Sequence, residues 1–301
     1  MDTFDWDIVL LTQKEYVAPQ APNEYVQNIL TEDQLVSEAL TNKGFCVTRK
    51  SWDDPNFDWK KTRFALFRAT WDYFHRFPEF QDWLNRAKEQ TQLINSSETL
   101  LWNMDKHYLL DLEAAGVSVV PTSIAEARSN SSLQNFYEQS PYAEAILKPT
   151  VSGSARHTYR LRRDNIEEHA ELFEQLIQKE AMMLQPFQER ILTEGEISLI
   201  YFGKTFSHAV RKRAKKGDFR VQDDFGGTLH DHDPDAEELS VAEAALDACP
   251  SLPVYARVDL VRNKANEPLV MELELIEPEL WFRRNREAAR KLTDTIIKTH
   301  L

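Results

Sequence analysis

The sequence contains few cysteines and few glycines, and each shortage excludes a class of site. Cys46 and Cys249 are the only cysteines among 301 residues, so they cannot build a disulfide framework or a cysteine-rich zinc site. This usage fits a reducing cytoplasm. Glycine occurs eight times, and neither the P-loop motif nor the GxGxxG fingerprint is present. A nucleotide site in this chain must therefore have another architecture.

Long apolar runs and an excess of positive charge are also missing. No run approaches the roughly 20 residues of a membrane-spanning helix, and the acidic start with its short IVLL run predicts neither a signal peptide nor a span. Lysine and arginine number 36 against 49 acidic residues, a net charge of −13 at pH 7. Broad attraction to nucleic acid or anionic membranes is therefore not expected. We expect a cytoplasmic protein with a small-molecule partner, and a homo-oligomer is left open.

The amino-terminal third of the chain alternates between strand and helix signals. Strand signals occur at Asp7–Leu11, in GFCVTR and in RFALFRA, and helix signals at Glu32–Leu40 and around Trp83. Such alternation predicts an open, largely parallel sheet with functional residues at the carboxyl ends of its strands. The hydrophobic content of 42% is enough for two or three modules that share one body.

Beyond residue 105 the pattern becomes mixed. We predict a helix that ends near Gly116, a short strand in VSVVPT, a helix at Ile124–Phe136 and a strand in AILKPT. The polar stretch Lys212–Asp235 is interpreted as a mobile loop followed by a linker. Several strands follow towards the carboxyl terminus, so the fold class expected for the whole chain is α/β, in a mixed α+β form.

Acidic residues interrupt the two apolar strands YARVDLVRN and PLVMELELIE. Glu272 and Glu274 are two positions apart and share one face of their strand, whereas Met271, Leu273 and Leu275 line the other. A hairpin would bring Asp259 beside them. Three carboxylates at a sheet surface suit Mg²⁺, although a half-exposed sheet face with alternating acids explains the pattern equally well.

Lys148 lies in an apolar strand directly before a proline and a loop that contains Ser152, Gly153 and Ser154. The lysine could contact a nucleotide phosphate while the glycine lets the backbone approach the anion. A surface lysine is the ordinary alternative.

Arg68 and Asp72 flank the start of an aromatic loop, TWDYFHRFPEF. The arginine could hold a substrate carboxylate through two hydrogen bonds, and the aspartate could accept an ammonium group. A surface ion pair covered by Trp71 and Tyr73 would produce the same pattern.

Taken together, the motifs from Asn95 onwards resemble the ATP-grasp superfamily, particularly its glutathione-synthetase-like and ribosomal-protein glutamate-ligase-like members. NSSETLLWNMDK resembles the opening motif of the family, and MLQPF resembles its adenine-binding hinge. The resemblance assigns the nucleotide to Lys106, Lys148, Gln185, Pro186, Phe187 and Glu196, the transferred phosphate to Arg211, and magnesium to Asp259, Glu272 and Glu274. The third metal position is often asparagine in the family and is glutamate here.

Two further segments, RATWDYFHRFPEF and MELELIEPELWF, are similar to the branch that includes the O-ureido-serine cyclo-ligase of cycloserine biosynthesis. The resemblance implies an ATP-grasp fold behind an amino-terminal open parallel sheet, with modules at 1–104, 105–183 and 184–301. It also implies a carboxylate–amine or cyclising ligase that requires ATP and Mg²⁺, with Mn²⁺ as an alternative metal. Such an enzyme acts on an amino-acid-like molecule through an acyl phosphate and releases ADP and phosphate. A non-catalytic ATP-binding module and an adenylating ligase are the competing hypotheses.

Overall fold

The amino-terminal region is an open parallel sheet covered by helices. The computed structural model describes residues 4–215, 217–221 and 226–300. The sheet has the strand order β2-β1-β3-β4, and its neighbouring strands are parallel, as predicted. Its strands are β1 (Trp6–Thr12), β2 (Val47–Ser51), β3 (Thr62–Ala69) and β4 (Gln92–Ile94), and its helices are α1 (Lys14–Val17), α2 (Glu24–Thr41) and α3 (Phe77–Ala87). The IVLL run of β1 is at most 1% exposed, because both faces of the sheet are covered.

A second, antiparallel sheet has the strand order β5-β8-β6-β7. Its elements and the helices before it are α4 (Ser97–Asn103), α5 (Tyr108–Ala114), β5 (Ser123–Ala125), α6 (Leu133–Glu138), β6 (Glu144–Pro149), β7 (Tyr159–Arg162), α7 (Ile166–Ile177) and β8 (Met182–Pro186). Helices α6 and α7 bury Phe136 and Phe173 against Leu147 and Leu184 of the sheet. The opposite face of the sheet is left to form one wall of a cleft.

The third sheet is antiparallel, with the strand order β11-β10-β9-β12-β13. It consists of β9 (Glu196–Phe202), β10 (Thr205–Arg213), β11 (Thr228–His232), β12 (Tyr255–Arg262) and β13 (Pro268–Glu274), with α8 (Ala236–Asp247) and α9 (Glu287–His300). Short 3-10 helices lie at Trp59–Lys61, Tyr73–His75 and Glu189–Leu192. One face of the sheet packs on α5 and α8, and α9 packs with α2 beside the amino-terminal sheet. None of the helices in the described ranges combines the length and apolar character needed to cross a bilayer.

Two predicted elements between residues 117 and 136 were wrong. VSVVPT does not form a strand, and within it Val119 makes a single bridge to Val270. The helix expected at Ile124–Phe136 begins only at Leu133, after β5 and a loop. The polar run SNSS favours a loop and a cap over a helix interior, and Ser132 accepts a hydrogen bond from the Asn135 amide at 3.2 Å.

The loop predicted at Lys212–Asp235 is shorter than expected. Lys212 and Arg213 complete β10, and β11 pairs back onto that strand. Residues 216 and 222–225 of the predicted loop lie outside the described residues. Strand β11 has the sequence TLHDH, and its single apolar residue gives too little alternation for a strand to be predicted from pattern alone.

The module boundaries at 104/105 and 183/184 remain a proposal. β8 extends across residue 183 and pairs within the second sheet, whereas α5 contributes Leu109 and Leu112 to the core beneath the third sheet. Packing therefore favours a smaller second module that contains the β5–β8 sheet with α6 and α7.

Asn95 joins the amino-terminal sheet to the third sheet. Its side-chain amide donates to the carbonyls of Tyr255 at 3.0 Å and Leu275 at 2.8 Å. Its side-chain oxygen accepts from the Val254 amide at 2.5 Å. The residue is fully buried, so water cannot replace these partners.

We predict that Asn95→Ala lowers the free energy of unfolding by about 3 kcal/mol, because it leaves several buried backbone groups without partners. Urea unfolding monitored by tryptophan fluorescence provides the measurement. Asn56→Ala, in an exposed loop, is the matched control and should change stability by less than about 0.5 kcal/mol. Equal stabilities for the two variants would show that Asn95 does not join the sheets.

Candidate active site

A single cleft contains most of the residues predicted to bind nucleotide and metal. It lies between the second and third sheets, and the amino-terminal region closes one end. Its lining includes Trp71, Phe74, Lys106, Lys148, Ser152, Gly153, Ser154, Gln185, Pro186, Phe187, Glu196, Lys212, Arg257, Asp259, Glu272, Glu274, Glu277 and Trp281. The structure thus brings together side chains that are spread over more than half of the sequence.

The hairpin β12–β13 supplies the acidic floor of this cleft. Asp259 is opposite Glu272, and Arg257 is opposite Glu274. Strand alternation turns Val258, Leu260 and Leu273 into the core on the other face. The three predicted metal residues therefore share the cleft face, as the pattern of the two strands indicated.

Each of these carboxylates is held by a cation. Asp259 pairs with Arg257 at 2.8 Å and with Lys212 at 3.3 Å. Glu272 pairs with Lys106 at 3.1 Å, and Glu274 pairs with Arg257. Lys212 also contacts Glu196, so Glu196, Lys212, Asp259, Arg257 and Glu274 form one continuous network.

Burial and neighbouring charges set the protonation of the cleft acids. Burial raises the pKa of Glu274 to about 7, although Arg257 opposes the shift. Burial acts in the same direction on Asp259, but Arg257 and Lys212 outweigh it and lower its pKa. Lys106 and Lys148 likewise lower the pKa of Glu272 against the effect of burial. Two of the three acids are thus kept as carboxylates, the form that binds a metal ion.

The chemistry of the three acids fits Mg²⁺, which prefers hard oxygen ligands. Among the described residues, no three histidine, cysteine or acidic side chains are close enough to hold a metal ion in their present positions. The ion pairs with Lys106, Lys212 and Arg257 explain this, because each carboxylate is turned towards a cation. Asp259, Glu272 and Glu274 could bind a metal ion if these pairs exchanged partners.

Lys148 and the loop after it form the wall above the acids. Lys148 is only 8% exposed, and burial lowers its pKa while the charge of Glu272 opposes that shift. It is therefore not the surface lysine of the ordinary alternative. Lys106 donates to the Ser152 carbonyl at 2.6 Å and so ties this loop to the acidic floor.

Gly153 is needed for the close packing of that loop. A Cβ atom at this position would lie 2.5 Å from the ring of Phe74, a distance that real side chains do not adopt. The neighbouring Ser154 has a φ of 47°, a left-handed conformation that is uncommon outside glycine. The backbone of the predicted phosphate loop thus has an unusual shape at the mouth of the cleft.

An apolar slot continues from these charges towards the hinge segment. Val120, Ile146, Phe187, Ile191 and Val221 form one buried cluster. The Gln185 side chain donates to Thr122 Oγ1 at 2.9 Å. The slot has the apolar walls that suit a flat aromatic ring such as a nucleobase.

Arg211, the predicted phosphate-contacting arginine, does not line the cleft. Its guanidinium donates to the Glu194 carbonyl at 3.0 Å and contacts His232 at 3.2 Å. The adjacent Lys212 is the cleft cation of β10. Sequence reasoning missed both Lys212 and Arg257, although the alternation around Asp259 already placed Arg257 on the same face.

Arg68 and Asp72 are not brought together at the cleft. Arg68 is 4% exposed and pairs with Asp33 of α2 at 3.2 Å. Asp72 accepts from the Trp52 indole at 2.8 Å and from Arg76 at 3.0 Å. The residues of this loop that reach the cleft are Trp71 and Phe74, so the geometry gives no support to a substrate clamp made of Arg68 and Asp72.

Comparison with known proteins identifies the family of this chain. The family model described as the N-terminal domain of D-cycloserine synthetase DcsG matches residues 8–95. The cycloserine biosynthesis protein DcsG of Streptomyces lavendulae is 31% identical over 279 residues, which cover 87% of this chain and 91% of that protein. The chain belongs to the DcsG family of ATP-grasp proteins. The resemblance predicted from the motifs is thereby confirmed.

Solved structures show that the similarity of this DcsG-family chain to known proteins covers the whole fold. The crystal structure of D-cycloserine synthetase DcsG has a TM-score of 0.85 at 28% identity, covering 97% of this chain and 99% of that chain. The D-alanine–D-alanine ligase of Bacillus anthracis in complex with ATP has a TM-score of 0.66 at 15% identity, covering 98% and 97%. The fold is therefore the predicted ATP-grasp fold. The DcsG-family chain is an enzyme, an ADP-forming ligase that makes C–N bonds.

We predict that Lys212→Met removes most of the thermal stabilisation that ATP with Mg²⁺ gives this ligase, because Lys212 is a cation of the cleft. Arg211→Met, at the next position of the same strand, should keep that stabilisation, since Arg211 lies outside the cleft. Melting curves with and without the nucleotide test both variants. The reverse result would restore Arg211 as the phosphate-contacting residue of β10.

Proposed function

We propose that this ligase uses ATP and Mg²⁺ to activate the carboxylate of an amino-acid-like small molecule as an acyl phosphate, which nitrogen then attacks. The observation that carries the proposal is the composition of the cleft. Four cations, Lys106, Lys148, Lys212 and Arg257, lie above three acids of the metal-binding type and beside an apolar slot. Phosphoryl transfer requires charge neutralisation and positioning at one place.

The four cations of the cleft are placed to contact both reactants, the nucleotide and the carboxylate substrate. Lys106 and Lys148 lie on the side of the Ser152–Ser154 loop and would contact nucleotide phosphates. Arg257 and Lys212 lie over the floor beside Asp259 and would contact the carboxylate that accepts the phosphoryl group. Because these cations are buried, their charge is weakly screened and stabilises the phosphoryl oxygens more strongly than a surface lysine could.

Asp259, Glu272 and Glu274 are the residues that would hold Mg²⁺, which supplies further positive charge to the phosphate oxygens. Glutamate at the third position adds a carboxylate where asparagine is frequent in the family. The high pKa of Glu274, about 7, means that this residue changes its charge within the range of ordinary assay conditions.

Exclusion of water would protect an acyl phosphate from hydrolysis. Trp71, Phe74 and Trp281 supply apolar surface at the end of the cleft that faces the amino-terminal region. An attacking amine held there would meet the activated carbon before bulk water does. Both an intermolecular amine and an amine-like nitrogen of the same molecule, which would give a cyclic product, fit this arrangement.

The two competing hypotheses for this protein predict different products. A non-catalytic ATP-binding module would release no ADP, and the retention of the acids and cations of the cleft counts against it. An adenylating ligase would release AMP and pyrophosphate. The similarity to D-cycloserine synthetase DcsG supports a small amino-acid-like substrate and makes O-ureidoserine a suitable first probe.

We predict that oxygen-18 from the carboxylate of the substrate appears in the released phosphate, because an acyl phosphate transfers that oxygen when it is attacked at carbon. The experiment incubates the ligase, ATP and Mg²⁺ with labelled O-ureidoserine, then with a panel of labelled amino acids and unlabelled amines, and analyses nucleotide and phosphate by mass spectrometry. Label in AMP would instead identify an adenylating enzyme. ADP formation without label in phosphate would contradict the acyl phosphate.

A further inference from the structure

One acid of the cleft differs from the others because its carboxylate has no ion-pair partner among the residues that the structure describes. Glu277 lines the cleft, three positions after Glu274. Within the described ranges, no lysine, arginine or histidine lies within ion-pair distance of its carboxylate. By contrast, Glu196, Asp259, Glu272 and Glu274 each have such a partner.

The surroundings of Glu277 disfavour the charged form of its side chain. Burial, reinforced by the charge of Glu274, raises the pKa of Glu277 well above 4.5. A buried charge without a partner is unfavourable, and a cation brought by a ligand would offset that cost. The position of Glu277 is therefore suited to a group that arrives with positive charge.

Aromatic side chains line the cleft together with Glu277. The Trp71 indole donates to the Glu277 carbonyl at 2.9 Å, which fixes the ring next to the Glu277 backbone. The ring of Tyr25 on α2 lies 6.1 Å from that of Trp71, centroid to centroid, and it also lines the cleft. Aromatic faces attract ammonium groups, most strongly where water is excluded.

Trp281 provides a second indication that a ligand is held here. Its ring lies 5.3 Å from the Arg257 guanidinium, and its indole N–H is buried with no acceptor among the described residues. Trp281 is 2% exposed and has a φ of 49°, a conformation that costs energy for a non-glycine residue. A polar atom of a ligand near Arg257 could supply the missing acceptor.

We propose that Glu277, Trp71 and Tyr25 form the amine subsite of this ligase, which binds the ammonium group of an amino-acid substrate. The inference rests on the proposed function, since it assigns the other end of the same substrate to Arg257 and the phosphoryl site. It moves the ammonium partner from Asp72, which Trp52 and Arg76 occupy, to Glu277. The substrate class that follows is an amino acid with a free amino group, rather than a simple carboxylic acid.

The test compares both enantiomers of O-ureidoserine with the achiral analogue that lacks the amino group, by ADP release. The wild type should use the amino acid with a much lower KM than the analogue. Glu277→Gln keeps the shape but removes the charge, and it should raise the KM for the amino acid by about 30-fold or more. The KM values for the analogue and for ATP should stay unchanged.

Glu267→Gln is the matched control, because Glu267 is an exposed acid of the same hairpin that bonds to Asn263 at 2.8 Å. Retention of ATP-dependent thermal stabilisation shows that Glu277→Gln is folded. If the wild type has equal KM values for the amino acid and its analogue, this result alone would overturn the amine subsite. An unchanged KM in Glu277→Gln would overturn it while the proposed function stands. No ADP from the wild type with either compound or with the wider amino-acid panel would overturn the proposed function and the subsite together.

Discussion

The structure depends on a network of buried charges at the junction of its sheets. Glu196, Lys212, Asp259, Arg257 and Glu274 alternate in sign along one continuous chain of contacts. Removing Lys212 would leave Glu196 without its cation, and removing Arg257 would leave Glu274 without its cation, which is unfavourable for charges shielded from water. The network therefore keeps the strands β9, β10, β12 and β13 in register and keeps the cleft polar. All five residues line the cleft, where the proposed function assigns them to the nucleotide, the metal ion and the substrate.

The same network is compatible with the proposed metal site, although its acids face cations in this structure. Lysine and arginine hold the acids in place and lower the pKa of Asp259 and Glu272. Under the proposed function, the cations would contact oxygens of the phosphates and of the substrate, and the acids would hold the metal ion. Such an exchange of partners would leave no buried charge unpaired.

Much of the fold could be predicted from the sequence because its strands carry strong patterns. The IVLL run predicted the buried parallel strand, and MELELIE predicted a strand with acids on one face and leucines on the other. The remaining differences have local causes. The assignment of the transferred phosphate to Arg211 came from the family resemblance, and the structure places Lys212 rather than Arg211 at the cleft. A bulge between Phe206 and His208 shifts the register of β10, so the faces of this strand cannot be assigned by simple alternation. Arg68 pairs with Asp33 across a long sequence separation, which no local pattern reveals.

The aromatic loop contributes to the cleft through residues other than those predicted. Trp71 and Phe74 line the cleft, whereas Arg68 pairs with Asp33 and Asp72 accepts a hydrogen bond from the Trp52 indole. Polar side chains in a loop are easily interpreted as ligand-binding residues, yet many of them already pair with other residues of the protein. Glu277 carried no signal of its own, since it lies after a strand that already contains two acids. It is distinguished only in three dimensions, because no cation of the described residues lies within ion-pair distance of its carboxylate.

The central claim, that the charged network is the phosphoryl-transfer site, is tested most directly by a crystal structure with Mg²⁺ and a non-hydrolysable ATP analogue. The account predicts that the metal is bound by carboxylates among Asp259, Glu272 and Glu274, and that Lys106 has left Glu272 for a phosphate oxygen. It also predicts that the base lies in the slot formed by Val120, Ile146 and Phe187. A structure in which the phosphates bind elsewhere, with the Lys106–Glu272 and Lys212–Asp259 pairs intact, would contradict it.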